Sequence, residues 1–223
     1  MNPIRRDFTA VNKRSGSRQV VGIVLHDTAG SGTMNDVRFL ASDNDRGVSV
    51  DFCINRQGEI FQLSPDLQRT TMFHAGRSTK FRGLVNAAVN RGTIGIEIVQ
   101  KADLSLSPLY PEAQVRSVAE LCAHLCGEFG LTRGDITTHA RIITDASRSD
   151  PRQFPFTKFD DIFNNAQNGG GGGSPVTHTV VAGDTLFALA RRFETTIEEI
   201  KRLNGINQAS NVIRVGQVLI IKP

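Results

Sequence analysis

The chain has 223 residues, 39% of them hydrophobic and 22% charged, which is typical of a globular protein with one sizeable core and room for a small second domain. Its net charge of +4 is modest and its basic residues form no long run, so nothing indicates nucleic-acid binding. Three cysteines without a CxxC spacing indicate neither a disulfide framework nor a thiolate zinc site. The sequence has no apolar segment long enough for membrane insertion and none behind Arg5 and Arg6 that could serve for export. We therefore expect cytoplasmic synthesis.

The first third of the chain predicts one buried strand, one helix and one hairpin. Residues 1–19 are polar and predict an arm or a sheet-edge element. Residues 20–25 form a continuous apolar run, typical of a strand buried on both faces, and His26 follows directly. Apolar side chains at helical spacing predict a helix over 34–42, and two alternating runs around a turn-rich tetrapeptide predict a hairpin over 48–63.

The middle of the chain is less regular. Residues 64–93, which include His74, show little periodicity and predict a long irregular segment of the kind that a compact domain keeps only for a purpose. Residues 94–99 predict a strand in which Glu97 is an isolated acid. It is either a buried salt-bridged residue or a proton acceptor whose pKa burial would raise. The clearest helix is predicted over 111–129, where proline precedes and glycine follows a regular apolar stripe.

The segment 136–151 carries the side chains best suited to catalysis. His139 ends a β-branched run that predicts a strand, and Asp150 precedes a proline that favours an extended backbone. A histidine and a carboxylate are two of the three protein ligands of an open zinc site, and His26 is the best candidate for the third. Taken singly, each of these residues is more often a hydrogen-bonded strand-end or turn residue.

Composition changes sharply at residues 167–175, where a glycine run predicts a flexible linker or an artificial junction between two modules. We therefore predict a first domain over 1–166, this linker, and a small domain over 176–223. The small domain is predicted to contain a short strand, two helices with capping signals and a returning strand.

Five short motifs of the first domain occur together and in one order. They are Leu25-His26-Asp27-Thr28-Ala29-Gly30, His74-Ala75-Gly76, Ile94-Gly95-Ile96-Glu97, Thr138-His139 and Arg148-Ser149-Asp150-Pro151. In this combination residues 20–156 resemble zinc-dependent N-acetylmuramoyl-L-alanine amidases of the type-2 class, which include recycling enzymes and phage lysins. The resemblance implies an α/β fold with a central mixed sheet flanked by helices. It also implies hydrolysis of the amide bond between N-acetylmuramic acid and L-alanine.

The same resemblance assigns roles to individual residues. Zn²⁺ is expected to be held by His26, His139 and Asp150, with a fourth position open for water. Glu97 is expected to accept a proton from that water. His74 is expected beside the cleft, where it could contact the scissile region. The alternative is a loop histidine whose hydrogen bonds are made within the protein.

Arg148 departs from the family pattern, which usually has lysine two residues before the last ligand. Arginine stays charged and cannot act as an acid, so we expect it to stabilise the developing oxyanion by its charge alone. Two further departures are Val50, where some members have tyrosine, and Arg152, where the family has glycine.

The second domain resembles a LysM module, a βααβ fold that binds glycans containing N-acetylglucosamine. The motifs that carry this resemblance are Gly183-Asp184-Thr185-Leu186, Leu203-Asn204 and Gly216-Gln217-Val218-Leu219. The resemblance implies that Gly183, Asp184, Thr185 and Asn204 contribute to a sugar-binding groove.

Together the two resemblances indicate a peptidoglycan hydrolase whose partners are the glycan strand and the stem peptide. We expect a monomeric phage endolysin that reaches the wall after membrane permeabilisation. One alternative is a non-catalytic peptidoglycan-binding protein, against which the complete set of ligands and Glu97 argues. The other is a bacterial recycling or autolytic amidase. A recycling enzyme has little use for a wall-binding module, and a secreted autolysin normally needs a signal peptide.

Overall fold

The computed structural model describes residues 1–167, 176–193, 195–207 and 210–222, and the chain divides into two compact units, Met1–Asn164 and Asn165–Pro223. This division lies close to the predicted end of the first domain at residue 166. The predicted linker stays a prediction, because residues 168–175 lie outside the described residues.

The first unit alternates short strands with helices. Its strands are β1 (Ile4–Arg5), β2 (Lys13–Ser15), β3 (Gly22–Asp27), β4 (Phe52–Ile54), β5 (Ile60–Gln62), β6 (Thr70–Met72), β7 (Lys80–Phe81), β8 (Leu84–Val85), β9 (Thr93–Ile98) and β10 (Ile136–Thr138). Its helices are α1 (Met34–Ala41), α2 (Ala87–Gly92), α3 (Glu112–Phe129) and α4 (His139–Ile142), followed by α5 (Phe156–Gln167).

Six strands from the fully described residues 1–167 form a mixed sheet in the order β1-β5-β4-β9-β3-β10. Strands β4 and β5 pair antiparallel as the predicted hairpin, whereas β4, β9, β3 and β10 run parallel to one another. Strand β3 is buried along its whole length, as expected from its continuous apolar run. The expected α/β fold with a central mixed sheet is therefore confirmed.

Helix α3 confirms the strongest helix prediction. Its buried stripe includes Val115, Val118, Leu121 and Leu125, and Gly130 ends it in the left-handed conformation at φ 65°. Glycine adopts this conformation without the steric cost that a Cβ atom would impose, which is why it terminates helices so often.

A buried ion pair supports the central strand β9. The Arg18 guanidinium donates to Oδ1 of Asp51 at 2.7 Å, and both side chains are fully buried. Oδ2 of Asp51 accepts from the backbone N–H of Gly95 at 3.0 Å. Burial raises the pKa of Asp51, and the nearby Arg18 charge opposes this shift. Removing either partner would leave an uncompensated charge in the core.

The prediction of an irregular segment over 64–93 was wrong in part. The segment contains the strands β6, β7 and β8 and the helix α2. Strand β6 pairs antiparallel with β2, so that Lys13 lies opposite Met72, and β7 pairs with β8. These strands have two or three residues each, too few to show a period of two, and β6 is completed by a distant segment.

The second unit has the predicted βααβ order, with β11 (Val176–Thr179), α6 (Leu186–Arg192), α7 (Ile197–Leu203) and β12 (Val218–Lys222). Strands β11 and β12 pair antiparallel. Its core contains Val180, Leu186, Leu189, Ala190, Ile200, Leu219 and Ile221. Among the described residues of the whole chain, no helix is both long and apolar enough to span a bilayer.

Candidate active site

The parallel strands β3 and β10 bring the two predicted histidine ligands together. Leu25 on β3 is paired with Thr138 on β10. The next residues along the chain, His26 and His139, therefore lie side by side at the same edge of the sheet. His139 is the first residue of α4, whose N-terminal cap is formed by the Thr138 hydroxyl accepting from the backbone N–H of Arg141.

Asp150 approaches the two histidines from the loop after α4. Its carbonyl oxygen accepts from the backbone N–H of Ala140 at 3.0 Å, which ties the loop to the residue after His139. The peptide bond from Asp150 to Pro151 is cis. The structure thus brings together the three residues that the sequence predicts as metal ligands.

Three atoms of these residues form a nearly equilateral triangle. Nδ1 of His26 lies 3.1 Å from Nδ1 of His139 and 3.2 Å from Oδ2 of Asp150, and the third edge is 3.3 Å. Ligands about 2.0–2.1 Å from a tetrahedral zinc ion would be about 3.3 Å apart. The donor set and its spacing therefore fit one small divalent ion without rearrangement.

The protonation states favour the same conclusion. Burial lowers the pKa of His26, which favours the neutral imidazole that can bind a metal. Burial alone would raise the pKa of Asp150, but its close contacts with the rings of His139 and His26 outweigh this effect and hold the pKa below its usual range. A neutral imidazole and an ionised carboxylate are the forms in which these side chains act as ligands.

Glu97 lies beside this triangle on the neighbouring strand β9. The register pairs His26 with Glu97, so their side chains project from the same face of the sheet. Oε2 of Glu97 is buried and has no hydrogen-bond partner among the described residues. Burial raises the pKa of Glu97 well above its ordinary value, and the carboxylates of Asp150 and Asp27 add to the shift. Two possibilities were predicted for Glu97. The structure argues against the first, a structural residue held by a salt bridge.

The triangle and Glu97 open into a cavity of about 1100 Å³. Its lining includes the three candidate ligands, Glu97, and the basic residues Arg46, Arg77 and Arg148. Arg148 is exposed on the cavity side. The volume lies just above the usual range of pockets for drug-sized ligands, which is about 300–1,000 Å³.

Sequence reasoning missed a clamp formed by Asp27 and Arg152, which holds the Asp150 loop against β3. The Arg152 side chain donates to both carboxylate oxygens of Asp27 at 2.7–3.2 Å, and its backbone N–H donates to Oδ2 at 2.7 Å. The carbonyl of Arg152 accepts from the Tyr110 hydroxyl at 2.9 Å. Because Asp27 follows one ligand and Arg152 lies two residues after another, the clamp fixes their relative positions. The only signal in the sequence is that arginine replaces the glycine usual in the family.

The structure places His74 beside the candidate ligands, among the residues that line the cavity. It is buried, and its ring nitrogens contact Nε2 of His26 at 3.1 Å and the carbonyl oxygen of Thr93 at 3.3 Å. Burial lowers the pKa of His74 well below its ordinary value. Both ring nitrogens of His74 are therefore engaged inside the protein and are not free to contact a substrate.

The four residues predicted for sugar binding have clear local roles in the second unit. Gly183 has φ 92° in the turn before α6, and the Thr185 hydroxyl caps that helix. Asp184 accepts from the backbone N–H of Val181 and contacts His178 at 2.6 Å. The Asn204 amide donates to the carbonyls of Ile200 and Ile220 and accepts from the N–H of Ile220, so it joins the end of α7 to β12.

Comparison with known proteins agrees with this geometry. Residues 16–153 match the family described as N-acetylmuramoyl-L-alanine amidase, and residues 178–222 match the LysM domain family. The N-acetylmuramoyl-L-alanine amidase XlyA of Bacillus subtilis (strain 168) is 31% identical over 225 residues, which cover 98% of this chain and 67% of XlyA.

Solved structures share the fold at lower identity. A crystal structure of AmpD has a TM-score of 0.55 at 22% identity and covers 70% of this chain and 93% of its own. The N-acetylmuramyl-L-alanine amidase AmiD from E. coli was solved with anhydro-N-acetylmuramic acid-L-Ala-D-gamma-Glu-L-Lys. It has a TM-score of 0.53 at 22% identity, and the match covers 80% of this chain and 72% of AmiD. Because the family match spans more than half of the chain, this protein belongs to the N-acetylmuramoyl-L-alanine amidase family and carries a LysM domain after its amidase domain.

Proposed function

We propose that the chain is a zinc-dependent endolysin that hydrolyses the amide bond between N-acetylmuramic acid and L-alanine in peptidoglycan. The observation that carries this proposal is the largely buried triangle of His26, His139 and Asp150 next to Oε2 of Glu97, which has no hydrogen-bond partner among the described residues. Two neutral imidazoles and one carboxylate are the ligand types that suit zinc, and three protein ligands leave one position open. When bound, Zn²⁺ would lower the pKa of a water in that position and polarise the substrate carbonyl.

The protein residues supply the proton transfers. Glu97 Oε2 accepts a proton from the attacking water as the carbon–oxygen bond forms at the scissile carbonyl. It returns that proton to the amide nitrogen as the carbon–nitrogen bond breaks, so the products are a free lactyl carboxylate and a new alanine amino group. The charge of a bound metal ion would oppose the effect of burial and favour the ionised carboxylate that this role needs. The two steps leave Glu97 in its starting protonation state.

Arg148 supplies positive charge at the cavity wall. A guanidinium keeps its charge at any working pH, so it can stabilise the developing oxyanion but cannot donate a proton. His74 is not retained as a substrate contact in this scheme, because its ring nitrogens are both engaged.

The LysM domain directs this activity to intact walls. A covalently joined glycan-binding domain raises the local concentration of the amidase near its bonds, to roughly millimolar for short connections. Backbone and side-chain groups of Gly183, Asp184 and Thr185 stay as proposed sugar contacts. Asn204 also stays a proposed contact, although its amide is used on the backbone of its own fold. We propose that the protein acts as a monomer after the membrane has been permeabilised.

The bond that is cut can be identified from the products of purified walls. We expect digestion to release new alanine amino termini, measured by amino-terminal labelling, without any rise in reducing sugar ends. New reducing ends would instead indicate a glycosidase. The absence of any new end group, with binding to walls intact, would support the non-catalytic alternative.

The targeting role of the LysM domain can be tested by deleting residues 176–223. We expect about tenfold slower lysis of intact walls, because the local concentration of the amidase domain falls, and almost unchanged hydrolysis of small soluble muropeptides. Both rates should be measured on the same preparation, together with its unfolding transition. Equal losses on the two substrates would show that the second domain supports the amidase fold. That result would contradict the proposed targeting role of the LysM domain.

A further inference from the structure

The dipeptide His74–Ala75 contacts both histidine ligands on the side away from the ligand triangle. Nε2 of His26 lies 3.1 Å from Nδ1 of His74, and Nε2 of His139 lies 3.2 Å from the carbonyl oxygen of Ala75. All of these groups are buried. Each histidine ligand therefore presents Nδ1 to the triangle and Nε2 to this one dipeptide.

The hydrogen-bonding partners decide which nitrogen carries each proton. A carbonyl oxygen only accepts, so Nε2 of His139 must be the donor to Ala75 and its Nδ1 keeps a lone pair. Nε2 of His74 lies 3.3 Å from the carbonyl oxygen of Thr93, so it also carries a proton. A neutral His74 then has a bare Nδ1, which can only accept from Nε2–H of His26.

The neighbouring Thr93 hydroxyl does not reverse this order. Its proton is directed to the carbonyl oxygen of Val89 at 2.6 Å, so the hydroxyl oxygen faces Nε2 of His74 as an acceptor. The chain of donors consequently runs from His26 to His74 to Thr93, and it leaves Nδ1 of His26 unprotonated.

Two further residues hold the dipeptide in place. Oδ1 of Asn90 accepts from the backbone N–H groups of His74 and Ala75 at 3.0 and 2.7 Å. Gly95 on β9 leaves room for the imidazole, because a Cβ atom there would lie 2.5 Å from Cγ of His74. Asn90 and Gly95 thus fix the position of the His74–Ala75 dipeptide against the two histidines.

We propose that His74 is a positioning residue that holds His26 in the Nε2–H tautomer, and that Asn90 fixes His74–Ala75 so that one dipeptide orients both histidine ligands. The proposal rests on the metal centre of the proposed function, and it replaces the substrate contact expected for His74. Hydrogen bonds to the second nitrogen of a histidine ligand fix its ring orientation and commonly change metal affinity by 10- to 100-fold.

The hydrogen bond itself can be observed in the metal-free protein, where no ion fixes the tautomer. We expect a ¹⁵N–¹⁵N coupling across the hydrogen bond between Nε2 of His26 and Nδ1 of His74, with the proton on His26. A spectrum that shows His26 protonated at Nδ1 in the metal-free wild-type protein would overturn the proposal without any variant. Zinc uptake by the same sample tests the proposed function separately.

Zinc affinity measured by chelator competition then tests the consequence. His74→Phe removes the acceptor, and we expect zinc binding about 10- to 100-fold weaker than in the wild type. His74→Asn returns an acceptor oxygen near the position of Nδ1 and should recover most of the loss. His124→Phe is the matched control, since His124 is exposed on α3, and it should bind zinc normally.

The unfolding midpoint of each metal-free variant separates positioning from folding. Weaker zinc binding by His74→Phe at an unchanged midpoint, with recovery in His74→Asn, supports the proposal. Unchanged zinc affinity in a folded His74→Phe protein would contradict it. If His74→Phe does not fold, the test rests on His74→Asn. A folded His74→Asn protein that binds zinc more than about tenfold more weakly than the wild type would contradict the proposal as well.

Discussion

Glu97→Gln should lower the turnover of the zinc-loaded protein by about 100-fold or more, because an amide of the same size cannot accept the proton of the attacking water. The substitution should leave the fold intact. Oε2 of Glu97 has no hydrogen-bond partner among the described residues, so no hydrogen bond of this atom is lost. Binding to walls should also survive, since the LysM domain is unchanged.

The measurement is hydrolysis of a soluble muropeptide by protein whose zinc content has been determined. Glu112→Gln is the matched control, because Glu112 is exposed on α3 and forms surface ion pairs with Arg116 and Lys158. It should retain wild-type turnover. Near-normal turnover of Glu97→Gln at full zinc occupancy would mean that another group is the proton acceptor.

Removal of the metal should abolish hydrolysis altogether. His26, His139 and Asp150 supply ligand atoms but no group that could activate water to the same extent as a divalent ion. Asp150→Asn should reproduce the loss by weakening zinc binding, whereas Asp161→Asn, an exposed position on α5, should not. Elemental analysis and muropeptide hydrolysis on each protein measure both effects.

Much of the fold was predictable where long periodic segments specify their own structure. Helix α3 has a regular apolar stripe with terminal signals, and β3 is a continuous apolar run, so both were predicted closely. Strand β6 was missed because its three residues are completed by pairing with β2, far away in sequence. A single sequence contains little information about such non-local pairing.

The ligands were predictable for a related reason. His26 and His139 each follow a predicted strand, and the carboxyl ends of neighbouring parallel strands meet at one edge of a sheet. That strands β3 and β10 are neighbours, with Leu25 opposite Thr138, had to come from the structure. Residue types and motif order were enough to select the three candidate ligands, which the structure brings together, and Glu97.

The supporting residues could not be predicted in the same way. Arg152 reaches Asp27 across 125 positions of sequence, and His74 reaches His26 across 48. Such contacts depend on the paths of loops and on side-chain directions, neither of which has a sequence period. Asn204 shows the converse case, since a motif residue expected to bind sugar is used within its own fold.

Hydrolysis should require one metal ion held by His26, His139 and Asp150. This requirement can be tested by titrating Zn²⁺ into chelator-treated protein and measuring muropeptide hydrolysis at each step. We expect no hydrolysis at the start and a linear rise that levels off at about one zinc per chain, as for a site with three protein ligands. Full hydrolysis by protein that elemental analysis shows to be free of metal would contradict this requirement.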